Sequence, residues 1–296
     1  MAFPNAKPIL KIGSPLTSYK LLLMAAARSR PRYRALCLRL LQPFVKDGVV
    51  SVKYRCYGRY FRTLIRMSDW ESDYQSTLEL SVNDVYHIDR SFRPDLVIDG
   101  GGNIGLFTLR AAAALGKNGK QEVRFVICEP ILRNIDQIEN HLNINKVRAK
   151  ILQVCLGGTS RTIPFYCREA NQSSFESEKP YTDVMDIPVI PLKDAIGPDR
   201  AERILIKLDI EGMEVEALST FVPSEQRPVY IVGELHSFAK NAPLMERLFK
   251  DHGWKLELHD IDFVYDSSAF TAWSPAALPV LASMASASPA LQAMTR

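Results

Sequence analysis

The sequence predicts an α/β fold: a mostly parallel sheet with helices on both faces. Three observations carry this. From Pro94 onward, short apolar runs alternate with helical segments, the pattern of parallel strands joined by crossover helices. The central runs, such as Val97-Ile98 and Ile204-Leu205-Ile206, are apolar on both parities, as strands buried on both faces are. A glycine-rich turn, Gly100-Gly101-Gly102-Asn103-Ile104-Gly105, follows the first of them and opens a helix.

Each element follows in order. Residues 1–48 read as a basic, partly helical leader, in which Pro31 divides the stretch from Leu21 to Phe44 into two short helices. Residues 49–93 are a hairpin and lead-in. Val50–Tyr54 and Tyr60–Leu64 alternate in polarity, with Gly58-Arg59 between them. The main domain spans 94–268. Leu96–Ile98 is its first strand. Ile104–Leu115 is an Ala-rich helix stopping at Gly116. Val123–Cys128 is the second strand, Ile131–Leu142 a helix and Lys150–Leu156 the third strand. Ile163–Tyr166 is a shorter strand. Ile204–Asp209 is the fourth strong strand, Met213–Leu218 begins a helix, and Val229–Gly233 is the fifth strand. Leu244–His252 is helical and Trp254–His259 is a last strand. Residues 269–296, rich in Ala, Ser and Pro from 274, read as a weakly ordered tail.

Composition narrows the function classes. At 296 residues and 47% hydrophobic, the chain is long and apolar enough to build a core without disulfides or structural metal. The longest apolar run near the start, Leu21–Ala27, is far below the roughly 20 residues of a membrane span. Pro4, Lys7, Pro8 and Lys11 interrupt the region a secretory signal would use. Five cysteines with no CxxC pair give neither a disulfide framework nor a zinc site, so a reducing, cytoplasmic setting is the expectation. Charge is uneven. Residues 1–66 hold fourteen Lys or Arg and one acid, Asp47, while the remaining 230 residues carry a net −9. Such a leader suits a polyanion or an anionic membrane surface, to which the protein would be peripheral. It equally suits a solvated helical face with a basic hairpin. No stacking-aromatic or zinc module marks a specific nucleic-acid reader.

The glycine turn is the most informative segment. Gly100, Gly102 and Gly105 satisfy G-x-G-x-x-G, a dinucleotide pattern that leaves an NAD-dependent oxidoreductase open. Asp99, immediately before the glycines, would repel a pyrophosphate there and suit a cationic ligand instead. Glu129 ends the second strand 24 residues after Gly105, where an acid accepts ribose hydroxyls. A second cluster is Lys207-Leu208-Asp209-Ile210-Glu211-Gly212-Met213-Glu214. By parity Lys207 and Asp209 share one strand face, and a lysine there needs an acidic partner. Glu234 and His236 end the fifth strand. Asp99, Glu129, Asp209, Glu211, Glu234 and His236 thus all fall at strand carboxyl ends, the ligand-binding rim of an open parallel sheet.

Taken with Glu129-Pro130 and Glu234-Leu235-His236, the runs Val97–Gly105 and Lys207–Glu214 resemble the FkbM family of S-adenosylmethionine-dependent methyltransferases over roughly residues 80–260. One departure is Gly102, where members usually carry alanine. The resemblance implies a Rossmann-like class I methyltransferase fold with a seven-stranded sheet whose last strand is antiparallel. It implies S-adenosyl-L-methionine as cofactor and methyl transfer to a hydroxyl of a sugar, glycan or natural product. It places Asp99, Gly101, Asn103 and Gly105, with neighbouring Gly100 and Gly102, at the cofactor's methionine end. Glu129 would hold its ribose, and Asp209 and Glu211 would stand near the transferring methyl. Among these side chains His236 is the best base by intrinsic pKa, with Glu211 and Asp209 as alternatives and Lys207 as electrostatic support. These acids could also bind Mg²⁺ and polarise a sugar diol, but the spacing demands no metal and none is expected. Acceptor specificity is expected in loops such as Glu169–Tyr181.

Overall fold

The computed structural model describes residues 29–30, 48–78, 85–86, 88–115, 123–167, 183–198, 201–262 and 266–279. Ser29–Arg30 (β1) pairs antiparallel with Lys53–Tyr54, so these two residues are extended where a helix was expected. The rest of the leader, Gly116, the loop 169–181 and residues 280–296 lie outside the described residues.

The alternating segment forms the expected hairpin. Val49–Cys56 (β2) pairs with Arg59–Arg66 (β3) across Tyr57-Gly58, both at positive φ, which suits a two-residue turn. Trp70–Leu78 (α1) follows. Its buried Asp73 takes two bonds from the Arg66 guanidinium, at 2.7 and 3.0 Å.

The sheet elements come next: Leu96–Gly100 (β4), Leu106–Leu115 (α2), Arg124–Cys128 (β5), Leu132–Asn145 (α3) and Lys150–Leu152 (β6). Cys155–Gly157 (β7), Arg161–Cys167 (β8), Asp183–Pro191 (β9) and Leu192–Ile196 (α4) follow, then Ile204–Leu208 (β10) and Glu214–Phe221 (α5). Val229–His236 (β11), Phe238–Asp251 (α6), Lys255–Asp262 (β12) and Ser267–Trp273 (β13) close the chain.

The main sheet has seven strands in the order β12-β13-β11-β10-β4-β5-β6. The five from β11 to β6 are parallel, and β13 runs antiparallel between β11 and β12. This is the Rossmann-like α/β architecture that the resemblance implies, with the last strand reversed. Side-chain alternation divides the core in two. Ile98, Ile206 and Ile231 pack with α5 and α6, whereas Val97, Leu205 and Val232 pack with α2 and α3. Every residue of β4 and β10 is buried, which is why their sequences read as unbroken apolar runs.

Two expectations need correction. The third strand, expected over Lys150–Leu156, is two strands. The chain leaves the main sheet at Gln153-Val154, and β7 joins a separate three-stranded sheet of order β7-β9-β8. The exposed Gln153 marks the break between half-buried β6 and fully buried β7, whose hydrogen-bond partners differ. The tail boundary at 269 falls inside β13, whose Ala272 and Phe270 are core residues. Its Ser- and Ala-rich sequence carries little strand signal of its own.

Candidate active site

Parallel strands end on one edge, so the fold gathers their carboxyl ends around a single cavity of about 250 Å³. Gly101, Gly102, Asn103, Glu129, Lys207, Asp209, Glu211, Glu234 and His236 all line it. Ile131, Val154, Leu156 and Phe165 supply an apolar wall beside Glu129.

The turn after β4 bends sharply: Gly101, Asn103 and Gly105 have φ of 72°, 47° and 80°. Gly101 is obligatory, because a Cβ there would lie 1.8 Å from the Asp209 carbonyl oxygen. The turn's amides are already committed. Those of Gly101 and Gly102 both donate to the Cys128 carbonyl at 3.0 Å, and that of Asn103 donates to Glu129 Oε2 at 2.8 Å. A pyrophosphate needs such amides free, so the literal dinucleotide pattern here does not make a dinucleotide cradle.

The residues expected to bind cofactor therefore separate into two groups. Gly101, Gly102, Asn103 and Glu129 face the cavity. Asp99, Gly100 and Gly105 stand behind it. Asp99 is fully buried. Its Oδ2 accepts the Thr108 hydroxyl at 2.7 Å and its Oδ1 lies 3.6 Å from Lys207 Nζ. Burial pushes its carboxyl up against the pull of Lys207. Asp99 is thus a support of the turn and not a direct ligand. Gly105 packs on Ile138, and Gly100 lies within the β4–β10 ladder.

Glu129 is buried at the end of β5. Its Oε1 accepts the Ile131 amide at 3.0 Å and the Asn134 side chain at 3.2 Å. Burial raises its carboxyl to about 7, opposed by these donors, Asn103 and Lys207.

Across the cavity, Lys207 Nζ reaches Asp99 and, at 3.7 Å, Asp209 Oδ2, and it donates to the Gly101 carbonyl. This confirms the lysine–acid pairing read from parity. Burial alone would raise Asp209. Lys207, His236 and the Tyr86 hydroxyl, 2.7 Å from Oδ2, outweigh it and hold the carboxylate ionised. Glu211 sits on a left-handed turn with Gly212, at φ 56° and 102°. Burial and the neighbouring acids Asp209, Glu214 and Glu234 raise its carboxyl, against the attraction of His236.

His236 differs from expectation. Its Nδ1 donates to Glu214 Oε1 at 3.0 Å, and its Nε2 lies 3.8 Å from Asp209 and 3.7 Å from Glu211. Burial would lower its pKa, but this ring of carboxylates raises it to about 10. The imidazole is a cation at neutral pH, not the free base its intrinsic pKa suggested.

Sequence reasoning missed two members of the site. Tyr86 comes from the lead-in before β4, where no periodicity marks it. Glu214 was visible at the end of the Lys207 cluster, but its role is to accept the amides of Ile210 and Gly212 at 3.0 and 3.1 Å and to hold His236. Both relations are made through space. Among the described residues no helix is long and apolar enough to cross a membrane.

Residues 99–256 match the family described as the methyltransferase FkbM domain. No curated protein matches the chain. Several solved structures are similar to it. A precorrin-6y methyltransferase from Geobacter metallireducens is 16% identical over 60% of this chain and 80% of that chain, with a TM-score of 0.36. A methyltransferase from Geobacter sulfurreducens is 12% identical over 64% of this chain and 76% of that one, at 0.39. A T. thermophilus 16S rRNA methyltransferase in complex with AdoMet and guanosine is 12% identical over 76% of this chain and 50% of that one, at 0.40.

Proposed function

Because the chain belongs to the FkbM methyltransferase family, we propose that it uses S-adenosyl-L-methionine to methylate a hydroxyl oxygen of a sugar, glycan or natural product. The observation that carries this reading is the shared cavity. The glycine turn and Glu129 line one part of it and the acids around His236 line another. The residues present suit the cofactor chemically. Glu129 offers a carboxylate to a ribose diol, the wall of Ile131, Val154 and Leu156 suits an adenine, and the acidic rim suits a positive sulfur and ammonium. Gly101, Gly102, Asn103 and Glu129 would hold it. When bound, it supplies a methyl group already activated by positive sulfur.

This chain's own task is then to position the acceptor and take its proton. A positioned base contributes typically ~10²–10⁴-fold. Glu211 fills that role. It is more exposed than either Asp209 or Glu214, with 37% of its side chain exposed against 24% and none. His236, within 4 Å of Asp209, Glu211 and Glu214, orients these carboxylates. Lys207 holds Asp209 and the turn. The exposed Arg55, Arg59, Tyr60 and Arg62 on the β2–β3 hairpin support an additional contact with a polyanion or an anionic membrane surface, which charge reversal of the arginines and vesicle sedimentation would test.

The function is tested by thermal shift followed by transfer. S-adenosylhomocysteine should raise the melting temperature of the full chain and NAD should not. The chain should then move a labelled methyl from S-adenosylmethionine onto an acceptor in an extract, recovered as an alkali-stable ether. Stabilisation by NAD alone would overturn the proposal.

A further inference from the structure

We infer that Asp209, Glu234 and His236 form a divalent-cation site on the acceptor side of the cavity. The inference deepens the methyltransferase reading and rests on it for the presence of an acceptor. One ligand atom from each of the three residues lies within 4.8 Å of the others, and all three residues line the cavity. Metal–ligand bonds of roughly 2.0–2.2 Å place ligands up to roughly 4 Å apart, so small side-chain movements close the set on one ion. The residues come from the end of β10 and from β11, two hydrogen-bonded parallel strands, so the backbone beneath them is fixed.

The surrounding contacts are those of a metal centre. A ligating histidine donates its other ring N–H to a carboxylate, which fixes the ring. Here His236 Nδ1 donates to Glu214 Oε1 at 3.0 Å, and Nε2 is thereby turned toward Asp209 Oδ1. Asp209 is polarised the same way: its Oδ2 is taken by the Tyr86 hydroxyl, leaving Oδ1 toward the imidazole. Glu214 has no exposed side-chain surface, and its second oxygen is buried without a hydrogen-bond partner. Around the site stand the carboxylates of Asp209, Glu211, Glu214 and Glu234, against the cations of Lys207 and His236. A cation bound there takes the place of the Nε2 proton, which passes to solvent.

Two carboxylates and one imidazole offer mixed oxygen and nitrogen donors to a divalent first-row ion, for which Mn²⁺ serves as the probe. All-oxygen sites suit Mg²⁺, and thiolate-rich ones suit softer ions. The remaining coordination positions face the cavity, where neighbouring hydroxyl oxygens of an acceptor would complete the shell.

The test is a Mn²⁺ titration of the full chain after chelator treatment, with free Mn²⁺ read by electron paramagnetic resonance. One Mn²⁺ per chain is expected. His236→Gln and Glu234→Gln should each weaken it at least about tenfold, and Glu214→Gln, which frees the ring, by a similar factor. Circular dichroism checks each variant's fold. Absence of stoichiometric Mn²⁺ on the wild-type chain overturns the site whatever the variants do. So does binding that His236→Gln leaves unchanged, or Mg²⁺ competing with equal affinity. Calorimetry with S-adenosylhomocysteine on the wild-type chain separates the two readings. If it binds and Mn²⁺ does not, the cation site falls alone; if it does not bind, the methyltransferase reading falls.

Discussion

Lys207 and Asp99 stand side by side on neighbouring parallel strands, the ammonium 3.6 Å from Oδ1, both almost closed to solvent. Asp99 Oδ1 has no hydrogen bond of its own, and the same ammonium reaches Asp209 and the Gly101 carbonyl. One cation therefore holds together the glycine turn after β4 and the acidic rim after β10.

Removing that cation should be costly. Lys207→Met leaves Asp99 buried and uncompensated, and breaking a buried pair from one side costs about 3–5 kcal/mol. Urea denaturation should show that loss. Lys207→Met combined with Asp99→Asn should recover a large part of it, because the stranded charge is gone. Equal stability of Lys207→Met and wild type would mean that the pair does not hold the fold.

If Glu129 holds the cofactor's ribose as proposed, cofactor affinity should depend on pH. Its carboxyl titrates near 7 in the fold against 4.5 as a model group. Arg66, Lys207, Cys128 and Cys155 are the titratable groups around it. The folded chain thus keeps this proton to higher pH than the unfolded chain. The associated stability is complete below about pH 4.5 and is lost as pH rises through 7. A ribose diol donates to the ionised form, so S-adenosylhomocysteine affinity should instead strengthen from pH 6 to 8, by up to about tenfold per unit below the pKa. Glu129→Gln should weaken binding at least about tenfold and flatten that slope. Calorimetry at three pH values reads both effects.

His141 ties the hairpin to the glycine turn. Its Nε2 accepts the Leu64 amide at 2.8 Å and its Nδ1 donates to the Ile104 carbonyl at 2.6 Å. Only a neutral ring with its proton on Nδ1 satisfies both. Burial lowers its pKa from 6.5, against the pull of the Ile104 carbonyl and Asp73. The folded chain binds this proton less readily than the unfolded one, so the contribution is full above pH 6.5 and lost as pH falls below it. The protection of the Leu64 amide, taken relative to its intrinsic exchange rate at each pH, should fall below that pH, and His141→Gln should remove the dependence.

The sheet and its rim were legible because parallel strands buried on both faces write themselves as apolar runs and end on the same edge. Glu129, Asp209 and His236 could be placed there from their position after such runs. What each side chain meets was not legible. Parity puts Asp99 on a face but does not say that Thr108 and Lys207 fill the space before a ligand can. The charge on His236 depends on Glu214, 22 residues earlier in sequence, and no local pattern encodes it. β13 was missed because Ser267, Ser268, Ala269 and Ala272 dilute the strand signal of Phe270, Thr271 and Trp273, and its place between β11 and β12 is set by pairing.

Gly102 is explained by packing and not by backbone freedom. A Cβ there would meet Ile127 Cγ2 at 2.3 Å, and Ile127 is fully buried and β-branched, with little room to rotate. Gly102→Ala should therefore destabilise by about 1–3 kcal/mol through overpacking, and Gly102→Ala with Ile127→Ala should lose less than the two single changes summed. Thermal denaturation of the three variants decides it.

Glu211 separates a chemical role from a capping one. Had it capped the helix that follows, its replacement would cost about 1 kcal/mol of stability. The structure gives that task to Glu214, whose carboxylate takes the Ile210 and Gly212 amides. Glu211 makes no such bond; its nearest charged partner is His236 Nε2, 3.7 Å away. Glu211→Gln keeps size and the left-handed backbone while removing charge and basicity, so the melting temperature should hold or rise slightly as repulsion from Asp209, Glu214 and Glu234 is relieved. Turnover on the true acceptor should fall about 10²-fold or more, with S-adenosylmethionine affinity close to wild type. Glu214→Gln should show the opposite balance, losing stability first, because it weakens the acceptor of two buried amides and of His236. Melting temperature, cofactor affinity and turnover on both variants resolve the assignment. Normal turnover in Glu211→Gln would leave the reaction to positioning by Asp209 and His236.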